Sequence, residues 1–316
     1  MTAPAAEIHP PTGQVRLGLG CMALTGIYGP VDRATAVATI HRALDLGVDH
    51  FDTAELYGPF INESFLADAL GDQRHRVSIA TKVGYRLEEG RIVGLDSRPQ
   101  HIRTAVEGSL RRLRREAVDL LYQHRPDPSV PVEEVVGAMA DLLQAGKVRA
   151  LGLSATDPLT FQRAQQVHPI AAVQNEYSLL ERNADTEFLD LVADAGATFF
   201  SYSPLGRGHL AGTGLAAERR SEDDYRRKDT RFSEVALKAA RVVLAPLKEI
   251  AETRGVEPAT VALAWILDRH PALRVIPGAR SPRQIEASWL ALKLDLSQEE
   301  RCLLDAIPKG LRQATG

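Results

Sequence analysis

A chain of 316 residues with 44% hydrophobic and 25% charged side chains has enough apolar matter for a full core and is far from the composition of a disordered chain. With 38 basic against 41 acidic residues and a formal net charge of -3, it carries no field that would draw it to nucleic acid or to an anionic membrane surface. Its two cysteines, Cys21 and Cys302, set no metal-ligand spacing, which argues against a disulfide framework and suits a reducing cytoplasm, the expected location.

Residues 1–14 lack a basic start followed by an apolar core, and no run reaches eighteen apolar residues. That opening reads as a flexible tail, with no signal peptide and no membrane span. From Val15 onward, short β-rich runs alternate with amphipathic stretches: VRLGLGCM, DHFDTAE, VSIATKV, VDLLYQHR, RALGLSA, AAVQNEYS, TFFSYSPLG and LRVIPGA. These are eight βα units, the pattern of a parallel sheet. No linker or composition shift divides them, so the expectation is an α/β chain with one domain, a (β/α)8 TIM barrel over residues 15–316.

Between the runs, Ala36, Ile40, Ala43, Leu44 and Val48 recur at helical spacing, as do Val132, Val135, Val136, Met139, Leu142 and Leu143 before a stop at Gly146. Ile102, Val106, Leu110 and Leu113 form a third stripe, which leaves Arg111, Arg112, Arg114 and Arg115 for a solvated outer face with Glu107 and Glu116. Residues 207–231 carry no strand signal and read either as a lid or as an insertion without fixed structure; helical stretches follow at 235–253 and 258–268. Cys21 and Cys302 are expected as buried small hydrophobes, and Trp265 and Trp289 as packing residues.

Catalytic groups of a barrel belong at the carboxyl ends of its strands. Asp52 ends the second run with Tyr57 just after it, Lys82 ends the third and His124 the fourth. The chemistry of such a set follows from its parts. A lysine ammonium beside a phenol favours phenolate and lowers the phenol pKa, a carboxylate keeps the lysine charged and in place, and a histidine can hydrogen-bond a substrate oxygen. Each residue alone has a structural explanation; four at neighbouring strand ends, with no metal-binding cluster to claim them, point to a proton donor beside a carbonyl.

Taken in order, GLGCMALTG, HFDTAELYG with Asn62-Glu63, IATKVG, QHRPDP, GLS, QNEYSLL, SYSPLGRG and VIPGARSPRQIEA make the chain resemble the aldo-keto reductase superfamily over nearly its whole length. The resemblance implies NADPH-dependent reduction of a small-molecule carbonyl, with Tyr57 as general acid, Lys82 and Asp52 tuning it, and His124 orienting the carbonyl oxygen. It further implies that Ser154 and Gln174 hold the nicotinamide carboxamide and Tyr202 stacks on the ring. Ser203, Leu205, Gly206 and Arg207 would pass the pyrophosphate; Gly278, Arg280 and Gln284 would meet the adenosine end.

Two positions depart from the family pattern. Ala155 stands where many members have asparagine, and Ala287-Ser288 where many have Glu-Asn. At the adenosine end, Ser281, Pro282 and Gln284 read as N-cap, first helical residue and capping-box partner, so a helix N-terminus with Arg280 beside it suits a 2′-phosphate and NADP over NAD. Gly18, Gly20 and Ala23 match a dinucleotide fingerprint after a strand, but LTGIYGPVD supplies turn residues where that fingerprint needs a helix. An alternative function is a nucleotide-binding regulatory subunit with this fold and little turnover, as in potassium-channel β subunits. A monomer is expected.

Overall fold

The computed structural model describes residues 15–185, 187–212, 222 and 224–308; the expected tail, 1–14, lies outside them. Ten strands run β1 (Leu19–Gly20), β2 (His50–Asp52), β3 (Ser78–Val83), β4 (Tyr85–Glu88), β5 (Arg91–Leu95), β6 (Leu120–Gln123), β7 (Leu151–Ser154), β8 (Ala172–Glu176), β9 (Thr198–Tyr202) and β10 (Leu273–Val275) among the described residues. Eight form one parallel sheet in the order β1-β2-β3-β6-β7-β8-β9-β10, each from one of the eight expected runs. Parallel bridges Leu17↔Val275 and Gly20↔Gly278 join last strand to first, and Gly20 N–H donates to Pro277 O at 3.0 Å. The sheet therefore closes, and the fold is a (β/α)8 barrel.

Closure explains the two glycines of the apparent fingerprint. A Cβ on Gly20 would lie 2.8 Å from Ile276 O across the seam, and one on Gly18 would lie 2.8 Å from His50 Cδ2 of β2, so glycine at both positions lets β1 fit between its two neighbours. The chain then turns through a 3₁₀ segment, Cys21–Thr25, that ends at Gly26, and no α-helix opens there.

The helices are α1 (Arg33–Leu46), α2 (Ile61–Leu70), α3 (Pro99–Leu113), α4 (Val132–Gln144), α5 (Pro158–Val167), α6 (Glu187–Asp194), α7 (Glu234–Val243), α8 (Ala245–Arg254), α9 (Pro258–Arg269), α10 (Pro282–Leu290) and α11 (Gln298–Asp305). Their ends follow local chemistry. Asp32 caps α1 by accepting from Thr35 N–H at 2.9 Å, and Gly47 ends it in the left-handed region that glycine adopts without strain. The stretch 235–253, read as one helix, breaks at Leu244, because Pro246 has no N–H to carry the ladder across.

Alternation along the strands separates two packed layers. Ala80, Leu120, Tyr122, Ala150, Ala172, Phe200 and Ile276 fill the barrel interior, while Ile79, Leu121, Leu151, Val173 and Phe199 face the helices. Gly152 admits the Tyr122 ring, since a Cβ there would sit 2.5 Å from it. Trp265 is buried in the outer layer and stacks on Tyr177, and Trp289 packs against the same core, as expected of packing residues.

Two expectations are corrected. Cys21 is buried, but Cys302 is exposed: on the short helix α11, Leu304 takes the inward position. The arginine run is not a uniform outer face, because Arg115 is buried and donates to Arg74 O, Val77 O and Asp119, and Arg112 pairs with the buried Glu63. Residues 84–98, outside the eight expected strand runs, contain the antiparallel hairpin β4–β5, a two-stranded sheet separate from the barrel.

Candidate active site

The interior layer carries the site. Two residues beyond interior-facing positions at the carboxyl ends of the strands stand Asp52 after His50, Lys82 after Ala80, His124 after Tyr122, Ser154 after Gly152, Gln174 after Ala172 and Tyr202 after Phe200. Period-two alternation aims these side chains at the same axis as the core beneath them. Here the apolar interior ends and a cluster of polar side chains begins.

Lys82 is its centre. Its ammonium donates to Asp52 Oδ1 at 2.5 Å, Thr53 O at 2.8 Å and the Tyr57 hydroxyl oxygen at 2.9 Å, which uses all three protons. Lysine and aspartate are almost fully buried, at 1% and 4% side-chain exposure, so the pair is screened little by water. Gln174 Nε2 donates to the other carboxylate oxygen at 2.7 Å. Asp52, in turn, holds the Lys82 pKa above its ordinary value against the opposing effect of burial.

Tyr57 reaches this ammonium because the turn after β2 is clamped. Asn62 accepts from Thr53 Oγ1 at 2.6 Å and donates to Cys21 O at 2.8 Å and Thr25 Oγ1 at 2.9 Å, tying the β1 and β2 turns to the start of α2. Glu63 accepts from Thr81 Oγ1 and from Arg112 Nε, both at 2.6 Å, anchoring α2 to β3 and α3. Asn62 and Glu63 had no assigned part in the sequence reading beyond their place in a motif; they are the frame of the site.

The electrostatics correct one expectation. The Tyr57 phenol lies above its ordinary pKa: burial raises it, Lys82 lowers it, Asp52 raises it again, and the first effect prevails. Burial likewise drives the His124 pKa well down, helped by the Lys82 and Arg125 charges, so its imidazole is neutral. The His124 ring stands edge-on to Tyr57 at 5.9 Å and to Tyr85 of the hairpin at 5.0 Å, and its Nδ1 is buried without a hydrogen-bond partner among the described residues.

Next to this set, the Glu55 carboxyl is pushed up to about 7, by burial first and by Glu63 second. A carboxyl whose folded pKa exceeds its unfolded value binds more protons when folded, so stability falls as pH rises from about 4.5 through about 7. Glu55→Gln is expected to remove that decline, worth about 3 kcal/mol across the window. Urea unfolding of both proteins at pH 5 and pH 8 checks it; equal pH dependence would refute the assignment.

A family model described as "Aldo/keto reductase family" matches residues 16–309. This chain belongs to that family. The aldo/keto reductase is 36% identical over 298 residues to "Probable aldo-keto reductase 1" of Glycine max, covering 93% of this chain and 86% of that protein. Its fold is similar to that of a glycerol dehydrogenase from Gluconobacter oxydans (TM-score 0.82, 32% identity, 92% of this chain and 90% of the other). It is also similar to the holo form of an aldo-keto reductase from Bacillus halodurans (TM-score 0.74, 28% identity, 93% and 92%).

The remaining expected residues of this aldo/keto reductase fall into three places. Ser154 and Gln174 face each other across the β7–β8 ladder, and Tyr202 ends β9 with its hydroxyl accepting from Arg125 Nη1 at 3.3 Å. Ser203, Leu205, Gly206 and Arg207 form the next turn, in which Ser203 N-terminally and Arg207 C-terminally both hold positive φ, of 49° and 56°. Ala155 after β7 also does, at 52°, so three non-glycine residues are strained around one rim. Ala155 stands where asparagine, which tolerates this backbone better, is common in the family.

Gly278, Arg280 and Gln284 gather at the start of α10, beside the barrel seam. The expected capping box does not form. Ser281 is the N-cap but makes no side-chain bond, and Gln284 Oε1 accepts from Arg280 N–H at 2.7 Å instead. The Arg280 guanidinium donates to Gly29 O at 3.2 Å and Pro30 O at 2.7 Å, while its Nε is buried without a partner among the described residues.

The segment 207–231 is ordered where it is described. Arg207 pairs with Asp229 at 2.7 Å, Arg231 with Glu176 at 2.9 Å, and Tyr225 N–H donates to Ile27 O at 3.0 Å, so this segment straps β8, β9 and the β1 turn together. Residues 213–221 and 223 lie outside the described residues. Among the described residues no helix is long and apolar enough to cross a membrane, and no cluster of three or more His, Cys, Asp or Glu could hold a metal. Arg125 and Tyr85 belong to the site and were missed: Arg125 follows His124 within QHRPDP, and Tyr85 lies in a segment with no strand signal that placed it.

Proposed function

We propose that the chain reduces an aldehyde or ketone to the alcohol with NADPH, Tyr57 supplying the proton. The observation that carries this reading is the single buried ammonium that holds Asp52 and the Tyr57 hydroxyl together, 2.5 and 2.9 Å away, beside a neutral His124.

The residues fit a dinucleotide. Ser154 and Gln174 are ladder neighbours, Tyr202 offers a half-buried aromatic face, and Arg280 has a buried donor with no partner next to an uncapped helix start. Ser154 and Gln174 would hold the carboxamide, Tyr202 the ring, Ser203, Leu205, Gly206 and Arg207 the pyrophosphate, and Gly278, Arg280 and Gln284 the adenosine end. A bound reduced nicotinamide supplies hydride to the carbonyl carbon.

The chain's own residues handle the oxygen. His124, neutral and with one N–H to offer, donates a hydrogen bond that orients the carbonyl oxygen. Charge then develops on that oxygen, and Tyr57 O–H gives it a proton. A phenol above its ordinary pKa stays protonated at neutral pH, and the transfer remains favourable because an alkoxide is far more basic than a phenolate. Lys82 stabilises the phenolate left behind, and Asp52 keeps Lys82 charged.

Following nicotinamide absorbance with NADPH and a panel of aldehydes and ketones tests the reading; binding of NADPH without turnover of any of them would refute it in favour of a regulatory role. The NADP preference rests on Arg280. Arg280→Ala is expected to raise the NADPH Kd by about 10-fold or more, the worth of a charge-assisted hydrogen bond to phosphate, and the NADH Kd by less than about 3-fold. Equal weakening of both would remove the 2′-phosphate role.

A further inference from the structure

Among the half-buried arginines of the described residues, Arg125 is the exception. Arg112, Arg207, Arg226 and Arg231 each hold a carboxylate, and Arg16 and Arg182 each hold backbone carbonyls. Arg125 meets phenols only: its Nη1 donates to Tyr202 OH at a long 3.3 Å, its guanidinium lies 5.5 Å over the Tyr202 ring, and Tyr85 is its other partner. No carboxylate pairs with it among the described residues.

A guanidinium stays charged and brings a planar fork of donors suited to an oxyanion. Withdrawing one from water without a counter-charge costs free energy that an arriving anion would recover. Its surroundings are those of the site. It directly follows His124, the Tyr85 ring that flanks it also packs edge-on against His124 at 5.0 Å, and Tyr202 ends β9. Of the cations here, Lys82 is paired with Asp52 and the imidazole of His124 is neutral, whereas Arg125 has no carboxylate partner among the described residues.

We infer that Arg125 is the seat of an anionic substituent on the substrate, so that the substrate class is a carbonyl compound bearing a carboxylate or a phosphate. This rests on the carbonyl-reductase reading above and names the substrate class for it. Arg125 is then a specificity residue that pins the far end of the molecule while His124 and Tyr57 meet the carbonyl oxygen.

The experiment uses two matched pairs under NADPH: 4-oxobutanoate against butanal, and glyceraldehyde 3-phosphate against glyceraldehyde. The protein as it stands is expected to favour the anionic member of at least one pair in kcat/KM, and which pair does so tells carboxylate from phosphate. In Arg125→Gln that ratio is expected to fall about 10- to 100-fold, the span of one charge-assisted hydrogen bond, with Arg125→Lys in between. An unchanged ratio, or an equal loss for both members of each pair, would make Arg125 a prop for the Tyr202 ring and overturn the inference. Calorimetric titration of butanoate and of inorganic phosphate into the NADPH complex reads the same site without turnover. Binding of either anion that weakens at least 10-fold in Arg125→Gln supports the inference even if no carbonyl is reduced, whereas no binding to the unsubstituted protein, or binding indifferent to the substitution, counts against it.

Discussion

Tyr57→Phe is expected to lose about 10²- to 10⁴-fold in kcat for carbonyl reduction, the usual worth of a positioned general acid, while its Kd for NADPH changes by less than about 3-fold. The substitution removes one oxygen and keeps the ring, so the edge contact with His124 at 5.9 Å survives and the loss is chemical. The Lys82 ammonium keeps its bonds to Asp52 Oδ1 and Thr53 O. Stopped-flow absorbance for turnover and nicotinamide fluorescence for binding separate the two effects. Activity within 10-fold of the unsubstituted protein would remove Tyr57 from the mechanism. Because the phenol lies above its ordinary pKa, the reduction rate is expected to hold across neutral pH and fall only on the alkaline side of about 10, where the proton is lost.

The second large effect is on stability. Lys82→Met is expected to destabilise the fold by about 3–5 kcal/mol, since it strands the buried Asp52 carboxylate with Gln174 as its remaining side-chain donor. Asp52→Leu strands the ammonium in the same way. The double variant is expected to lose less than the sum of the two by more than about 2 kcal/mol, because neither charge is then left unpaired. Urea unfolding midpoints give all three values, and a Lys82→Met cost below about 1 kcal/mol would show that the pair does not hold the site. The pH dependence has a definite sign. The folded pKa of Lys82 lies above its unfolded value near 10.5, so its contribution is fully present below about 10.5 and fades as pH rises through the higher folded value. The difference between Lys82→Met and the unsubstituted protein should accordingly be constant from pH 6 to 9 and shrink only above that range.

How far the site could be read from residues depends on which kind of regularity placed them. Asp52, Lys82 and His124 interrupt apolar runs at strand ends, and the barrel puts strand ends together, so these three were legible with Tyr57 close behind. Arg125 follows His124 in the same motif yet was passed over, since nothing local says that a charged residue next to a site residue lacks a counter-ion; only the positions of Tyr85 and Tyr202, 40 residues before and 77 after it, reveal that. Arg115 was misjudged for the same reason. Its place in a run of four arginines suggested solvent, whereas its actual partners, Arg74 O and Val77 O, come from another part of the chain.

The sequence by itself determined the fold class, the eight strand positions and which side chains could do proton chemistry, because period-two alternation, helical stripes and strand-end polar residues are local consequences of backbone geometry. Tertiary structure alone decided the sign of the Tyr57 pKa shift, the failure of the Ser281–Gln284 capping box and the outward placement of Cys302. Each depends on what else occupies the surrounding volume. Desolvation sums over every neighbour, a side chain takes the best of several partners, and the face a short terminal helix turns to solvent is set by the surface it packs on.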